Sequence, residues 1–141
     1  MNHTYPVRVT DGGVLYLRMP EELTLLEDFM IIDLNIMNVL EYLYKIEDSQ
    51  HGALQQVTGN TTALSITKDK TVVYNTALDQ ECTLDTQEFK EIIKLYLKEN
   101  ILLLIERDIK KKQNIYEKAK LATSISDFLK LREDLQQDKI I

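Results

Sequence analysis

The chain has 141 residues, 44% of them hydrophobic and 28% charged, and a formal net charge of −6. A chain of this length buries about two thirds of the surface its unfolded form exposes, so one compact domain with a packed core is expected, and disordered or fibrous classes are excluded. The longest apolar runs, FMII and ILLLI, fall far short of the roughly twenty residues a membrane-spanning helix needs, and MNHTYPVRV carries neither the basic nor the apolar region of a secretory signal, so a cytoplasmic protein without membrane contact is expected.

From the N-terminus, YPVRV and VLYLRM flank TDGG, and the alternation of Leu15 and Leu17 with Tyr16 and Arg18 predicts a hairpin whose tight turn takes its positive φ from the glycines. Pro20 ends the second strand and opens PEEL, where acids suit a helix N-terminus. Leu34, Met37, Leu40 and Tyr44, with Ile36, Val39, Leu43 and Ile46, recur at three and four and predict a helix from about Leu34 to Asp48. The preceding LEDFMIID fits a helical turn or a short strand equally well. Between Gly52 and Thr83, β-branched runs separated by Gly59-Asn60 and Lys68-Asp69-Lys70 predict a three-stranded meander, with a fourth strand at ECTL.

Asp85 and Glu88 have capping-box spacing ahead of Phe89, Ile92, Ile93, Tyr96 and Leu97, which marks a helix. No proline or glycine follows Gly59, so this helix can continue through ILLLIERDIKKKQNIYEKAK, and Ser124 is placed to cap a last one. The expected fold is α+β: an antiparallel hairpin and meander sheet packed against helices over residues 1–99, with a helical segment over 100–141.

Motif chemistry is sparse. The paired glycines Gly12-Gly13 lie in a strand turn with no following helix, so neither dinucleotide nor P-loop binding has a cradle, and no cofactor is expected. Two histidines and the single Cys82 make a poor transition-metal set. Asp33 with Asn35 and Asp79 with Glu81 lack a calcium-type loop, so no metal is expected. Cys82 has no base in view and is read as a structural thiol. Asp33, enclosed by large apolar residues, is the best-placed acid for proton transfer, but capping of the helix near Leu34 is the commoner role; no catalytic residue is assigned and the chain is read as a non-enzyme.

Charge is more informative. Residues 1–99 carry net −8 and residues 100–141 net +2, while residues 11–48 alone carry −7. This acidic body disfavours nucleic acid and favours a basic protein partner, whose encounter it would accelerate. The residues expected to meet that partner are Glu21, Glu22, Glu27, Asp28, Asp33, Glu41 and Asp48. In the tail, the basic run around Lys110–Lys112 is interrupted by acids and reads as a solvated helix face. Leu103, Ile105 and Ile109 give it an apolar set that can serve a homodimer seam.

The order of a leading hairpin YPVRVTDGGVLYLRMPEE, an apolar-rich helix, the meander VTGNTTALSITKDKTVV and the helix DTQEFKEIIKLYLKE after CTL resembles small bacterial immunity proteins, over residues 5–99. These neutralise toxin domains of polymorphic and contact-dependent inhibition systems. The resemblance implies a cognate toxin as partner, occluded by carboxylates that stand where the phosphates of its substrate would lie. The segment 100–141 departs from that pattern. The alternative reading is a structural or regulatory module that self-associates through its C-terminal helices.

Overall fold

A computed structural model of the chain describes residues 5–106 and 113–137. Strands β1 (Val7–Val9) and β2 (Leu15–Leu17) form the leading antiparallel hairpin, with Val7 opposite Leu17 and Val9 opposite Leu15. Its turn closes through Thr10 N–H to Val14 C=O at 2.8 Å, and Gly13 supplies the left-handed residue at φ 87°. The second sheet is the expected meander with all four strands: β3 (Gln55–Thr58), β4 (Thr62–Ile66), β5 (Lys70–Asn75) and β6 (Gln80–Asp85), antiparallel and in sequence order. Register places Val57, Leu64, Val73 and Cys82 in one row across it, and Ile66, Thr71 and Leu84 in the next. Leu64, Ile66, Val73 and Leu84 are buried, whereas Gln56, Thr58 and Thr83 on the opposite face are exposed. This is the one-sided burial that alternating strands dictate.

The ambiguous LEDFMIID is helical, in an uncommon form. A 3₁₀ turn (Glu21–Leu23) leads into one α-helical turn, α1 (Leu25–Asp28), and then into a π-helical turn over Phe29–Asp33. Leu34 then turns extended, at φ −93° and ψ 142°, and breaks the helix. The helix expected from about Leu34 therefore starts later, as α2 (Val39–Ser49). The intervening turn is set by Asn35, whose Oδ1 accepts the N–H groups of Met37 and Asn38, and by Asn38, whose Oδ1 accepts Asn35 N–H. Asparagines competing for backbone donors delay the helix where apolar periodicity alone would begin it.

The 3₁₀ turn packs on β6, α1 on β5, and α2 on β3 and β4, so residues 21–49 form a layer crossing the sheet. Phe29 anchors it, edge-to-face on Tyr42 with centroids 5.2 Å apart and beside Phe89 at 6.2 Å. Helix α3 (Thr86–Glu106) starts at the end of β6. Its Thr86 hydroxyl donates to Thr67 C=O at 2.7 Å and lies 2.9 Å from the Thr71 hydroxyl, pinning the helix start to the β4–β5 turn. Of the pair with capping-box spacing, Asp85 holds Lys70 at 2.6 Å, and Glu88 accepts the Tyr5 hydroxyl at 3.0 Å. Helices α4 (Gln113–Leu121) and α5 (Ile125–Gln137) complete the described chain. Ser124 caps α5 as expected: its Oγ accepts Asp127 N–H, and Asp127 Oδ2 in turn accepts the N–H groups of Thr123 and Ser124. Ile115, Ala119, Phe128, Leu131 and Leu135 are buried in the same cluster as the sheet and α3.

Asp33 does not cap a helix. It ends the π-helical turn, and its carboxylate reaches across to the β3–β4 turn. There it accepts the N–H groups of Asn60 (2.7 Å), Thr61 (3.2 Å) and Thr62 (2.9 Å) and the hydroxyls of Thr61 and Thr62. Three successive N–H groups converging on an anion form a nest. Gly59 makes room for it: a Cβ there would stand 2.7 Å from Asp33 Cγ and 2.9 Å from Oδ2. Gly59→Ala is therefore expected to cost about 1–3 kcal/mol in chemical denaturation through overpacking. In an Asp33→Ala background most of that cost should vanish, because the clashing group is gone. Equal costs in the two backgrounds would contradict this account of the glycine.

Candidate functional site

The acids expected to form one binding surface take different roles. Glu21 and Glu22 are exposed on the 3₁₀ turn, and Glu41 and Asp48 are exposed on α2. On α2, Glu41, Tyr44 and Asp48 share an outward face, with Met37 four residues ahead of Glu41; Met37 is 51% and Tyr44 45% exposed. Among the described residues, none of Glu21, Glu22, Glu41 and Asp48 forms an ion pair. Glu27 is half-buried and accepts Met19 N–H at 2.8 Å, which fixes the chain as it leaves β2. Asp28 is half-buried. Asp33, at 7% exposure, faces inward, so it leaves the expected surface set. Glu47 accepts Lys90 at 2.7 Å, and this hydrogen bond holds its carboxyl below the ordinary range. Because the 21–49 layer crosses the sheet, the exposed acids are spread along it, an arrangement suited to a long-range field.

Asp33 remains the electrostatic centre of that layer. Burial pushes its carboxyl up, but the Thr62 hydroxyl, the N–H groups of Thr61 and Asn60 and the Thr61 hydroxyl outweigh burial and hold it below the ordinary carboxylate range. Its charge, after burial, contributes to raising the Tyr42 phenol. Every acceptor direction of the carboxylate is used by the fold. The other candidates for chemistry are similarly occupied or unreactive. Asn35 Oδ1 serves Met37 and Asn38, and the Asp79 carboxylate accepts the Tyr74 hydroxyl. Burial, followed by the Glu81 charge, pushes the half-buried Cys82 thiol up, which keeps it protonated at neutral pH. Among the described residues, no three His, Cys, Asp or Glu side chains converge to hold a metal ion, and no helix is long and apolar enough to cross a membrane.

The apolar set expected on the C-terminal helices also divides. Ile105 is fully buried in the chain's own core, so it cannot serve a seam between copies. Leu103 is half-buried on α3, and Ile109 lies outside the described residues. Leu103 lines a groove of about 350 Å³ that periodicity gives no hint of, walled by the β1–β2 turn at Val14, by Ile31, Ile32 and Ile36 beyond α1, and by Leu103 and Leu104 on α3. Three segments far apart in sequence make it.

No family model matches the chain, and no solved structure matches it. The chain is 28% identical over 102 residues to a Bacillus cereus protein named immunity protein; the match covers 68% of this chain and 86% of that one.

The Asp33 geometry fixes a pH dependence. A carboxyl whose folded pKa lies below its unfolded value stabilises fully above the unfolded value, near 3.9, and loses that contribution as pH falls through the lowered folded value. Asp33→Asn offers one acceptor oxygen and turns an NH₂ group toward donors, so at neutral pH it should cost about 1–3 kcal/mol in urea unfolding. The gap between the two proteins should narrow as the medium is acidified below about pH 4. Identical unfolding midpoints at pH 7 would contradict the role assigned to the charge.

Proposed function

We propose that this chain is a non-catalytic binding protein of the immunity type, which neutralises a basic toxin domain by covering its working surface. The observation that carries the reading is the match to the Bacillus cereus immunity protein, which spans most of both chains. Two features of the molecule support it. Net −7 over residues 11–48 supplies an attractive field for a basic protein. Glu21, Glu22, Glu41 and Asp48 stand exposed and without ion pairs among the described residues, so their charge is available to that field. In a toxin that acts on nucleic acid, such carboxylates would occupy the places of substrate phosphates.

Steering by exposed carboxylates acts over about a Debye length, roughly 8 Å at physiological salt, and changes association more than dissociation. The test uses the basic C-terminal domain of a secreted protein encoded beside this chain. Glu21→Lys, Glu22→Lys, Glu41→Lys and Asp48→Lys combined should lower its association rate about tenfold or more in stopped-flow mixing, with an unchanged melting temperature. Added salt should slow the parent chain in the same direction. Glu27 and Asp33 are left intact because the fold uses them. Absence of binding to that domain by the parent chain would overturn the proposal, and salt-insensitive, full-speed binding by the variant would remove the acids from it.

A further inference from the structure

The four-stranded sheet ends on β3, and the outer side of that strand is open. Gly59 N–H donates to Thr62 C=O at 2.7 Å, which makes Gly59 and Thr62 a hydrogen-bonded pair at the head of the β3–β4 ladder. Such pairs alternate along an antiparallel ladder, so Val57–Leu64 and Gln55–Ile66 are bonded too, while Thr58–Ala63 and Gln56–Ser65 are not. The N–H and C=O groups of Gln56 and Thr58 therefore point away from β4. No strand lies beyond them, and among the described residues no side chain bonds to them.

Folded proteins guard edges of this kind with charge, proline, a bulge or a covering element. The other edges carry such devices. Strand β6 bears Glu81 and Asp85 and is packed by the 3₁₀ turn, and β1 follows Pro6 and holds Arg8, whose Nη1 donates to Val7 C=O at 3.0 Å. On β3 none of them is present: QQVT pairs with β4 without a bulge, inside residues 52–67, the longest uncharged stretch of the chain. Apolar cover stops at the same place. In the row Cys82, Val73, Leu64 and Val57, Val73 is 0% and Leu64 2% exposed, whereas Val57 at its end is only half-buried.

We infer that β3 is the seam between two copies of this chain, paired antiparallel about a two-fold axis at Val57. In that register Gln56 of each copy faces Thr58 of the other, and both pairs exchange N–H and C=O bonds. Val57 meets its own counterpart, so the apolar row runs on into the second copy. The neutrality of the edge selects the occupant: a basic strand finds no carboxylate on β3 and an acidic one no cation, whereas a second β3 matches it and brings no like charge to the seam. Glu21 and Glu22 stand on the 3₁₀ turn at the opposite edge of the sheet, so the seam leaves them exposed. The inference does not depend on the immunity reading.

Sedimentation velocity of the chain between about 10 μM and 1 mM should show a reversible monomer–dimer equilibrium, because a seam of one short strand is small. Added salt should strengthen it, since both copies are acidic. Charges on the exposed outer face read the register. Gln56→Lys with Thr58→Lys sets like charges opposite each other in both pairs and should weaken the dimer about tenfold or more, although it lowers the net charge of each copy; Gln56→Lys with Thr58→Glu sets opposite charges there and should keep the parent affinity or exceed it. Both variants should melt as the parent does, because these side chains face water. In a Cys82→Ser background, Val57→Cys should cross-link with oxidised glutathione, as the two residues at the axis form a close pair, and Thr83→Cys on the far strand should not. A parent chain that stays monomeric throughout, equal affinities of the two double variants, or cross-linking at Thr83→Cys alone would overturn the seam. So would amide protection at Gln56 and Thr58 that appears only when the neighbour-encoded basic domain is added, which would give the edge to a partner's strand.

Discussion

The carboxylate of Asp33 joins two parts of the chain 27 to 29 residues apart, the end of the π-helical turn and the tip of the β3–β4 hairpin. Much of the architecture depends on that contact. Placing a charge at 7% exposure carries a desolvation penalty, and the penalty is offset only because three backbone donors and two hydroxyls converge on it. The turn, in turn, can present those donors only because Gly59 leaves space for the carboxylate. With the layer of residues 21–49 held at its midpoint, Phe29 can pack edge-to-face on Tyr42 and beside Phe89, and the chain can break at Leu34 without losing its position.

The same contact sets what the surface can do. Ile31, Ile32, Ile36 and Met37 flank the clamped residue. On the inner side Leu34 is drawn down onto Tyr96; on the outer side Ile32 and Met37 remain about half exposed. A surface pre-ordered in this way loses little conformational entropy when a partner arrives.

Local signals explain which elements were legible in the sequence. The three hairpin turns at Gly12-Gly13, Gly59-Asn60 and Lys68-Asp69-Lys70, the alternation of β4, the periodicity of α3 and the Ser124 cap rest on interactions within a few residues, and each is found where those residues imply. The start of α2 was misplaced because apolar spacing continues through Ile36 and Met37, whereas Asn35 and Asn38 bind the backbone in a competing turn. Asp33 had the flanks of a cap, and nothing nearby revealed that its partners lay in Asn60, Thr61 and Thr62. Ile105 and Leu103 belong to one apolar run; only packing shows that the first is inside and the second at a rim.

By itself, the sequence determined the α+β class, the antiparallel meander, the helical character of the described C-terminal segments and the concentration of negative charge in residues 11–48, because periodicity, turn chemistry and net charge are properties of short stretches. The tertiary structure alone decided which acids face water, why Gly59 is a glycine, and that the β1–β2 turn, the π-helical turn and α3 border an open groove. Those features arise where segments distant in the chain meet, and the pairing of distant segments is fixed by burial and by the need to satisfy a buried charge, neither of which is visible in any one stretch of residues.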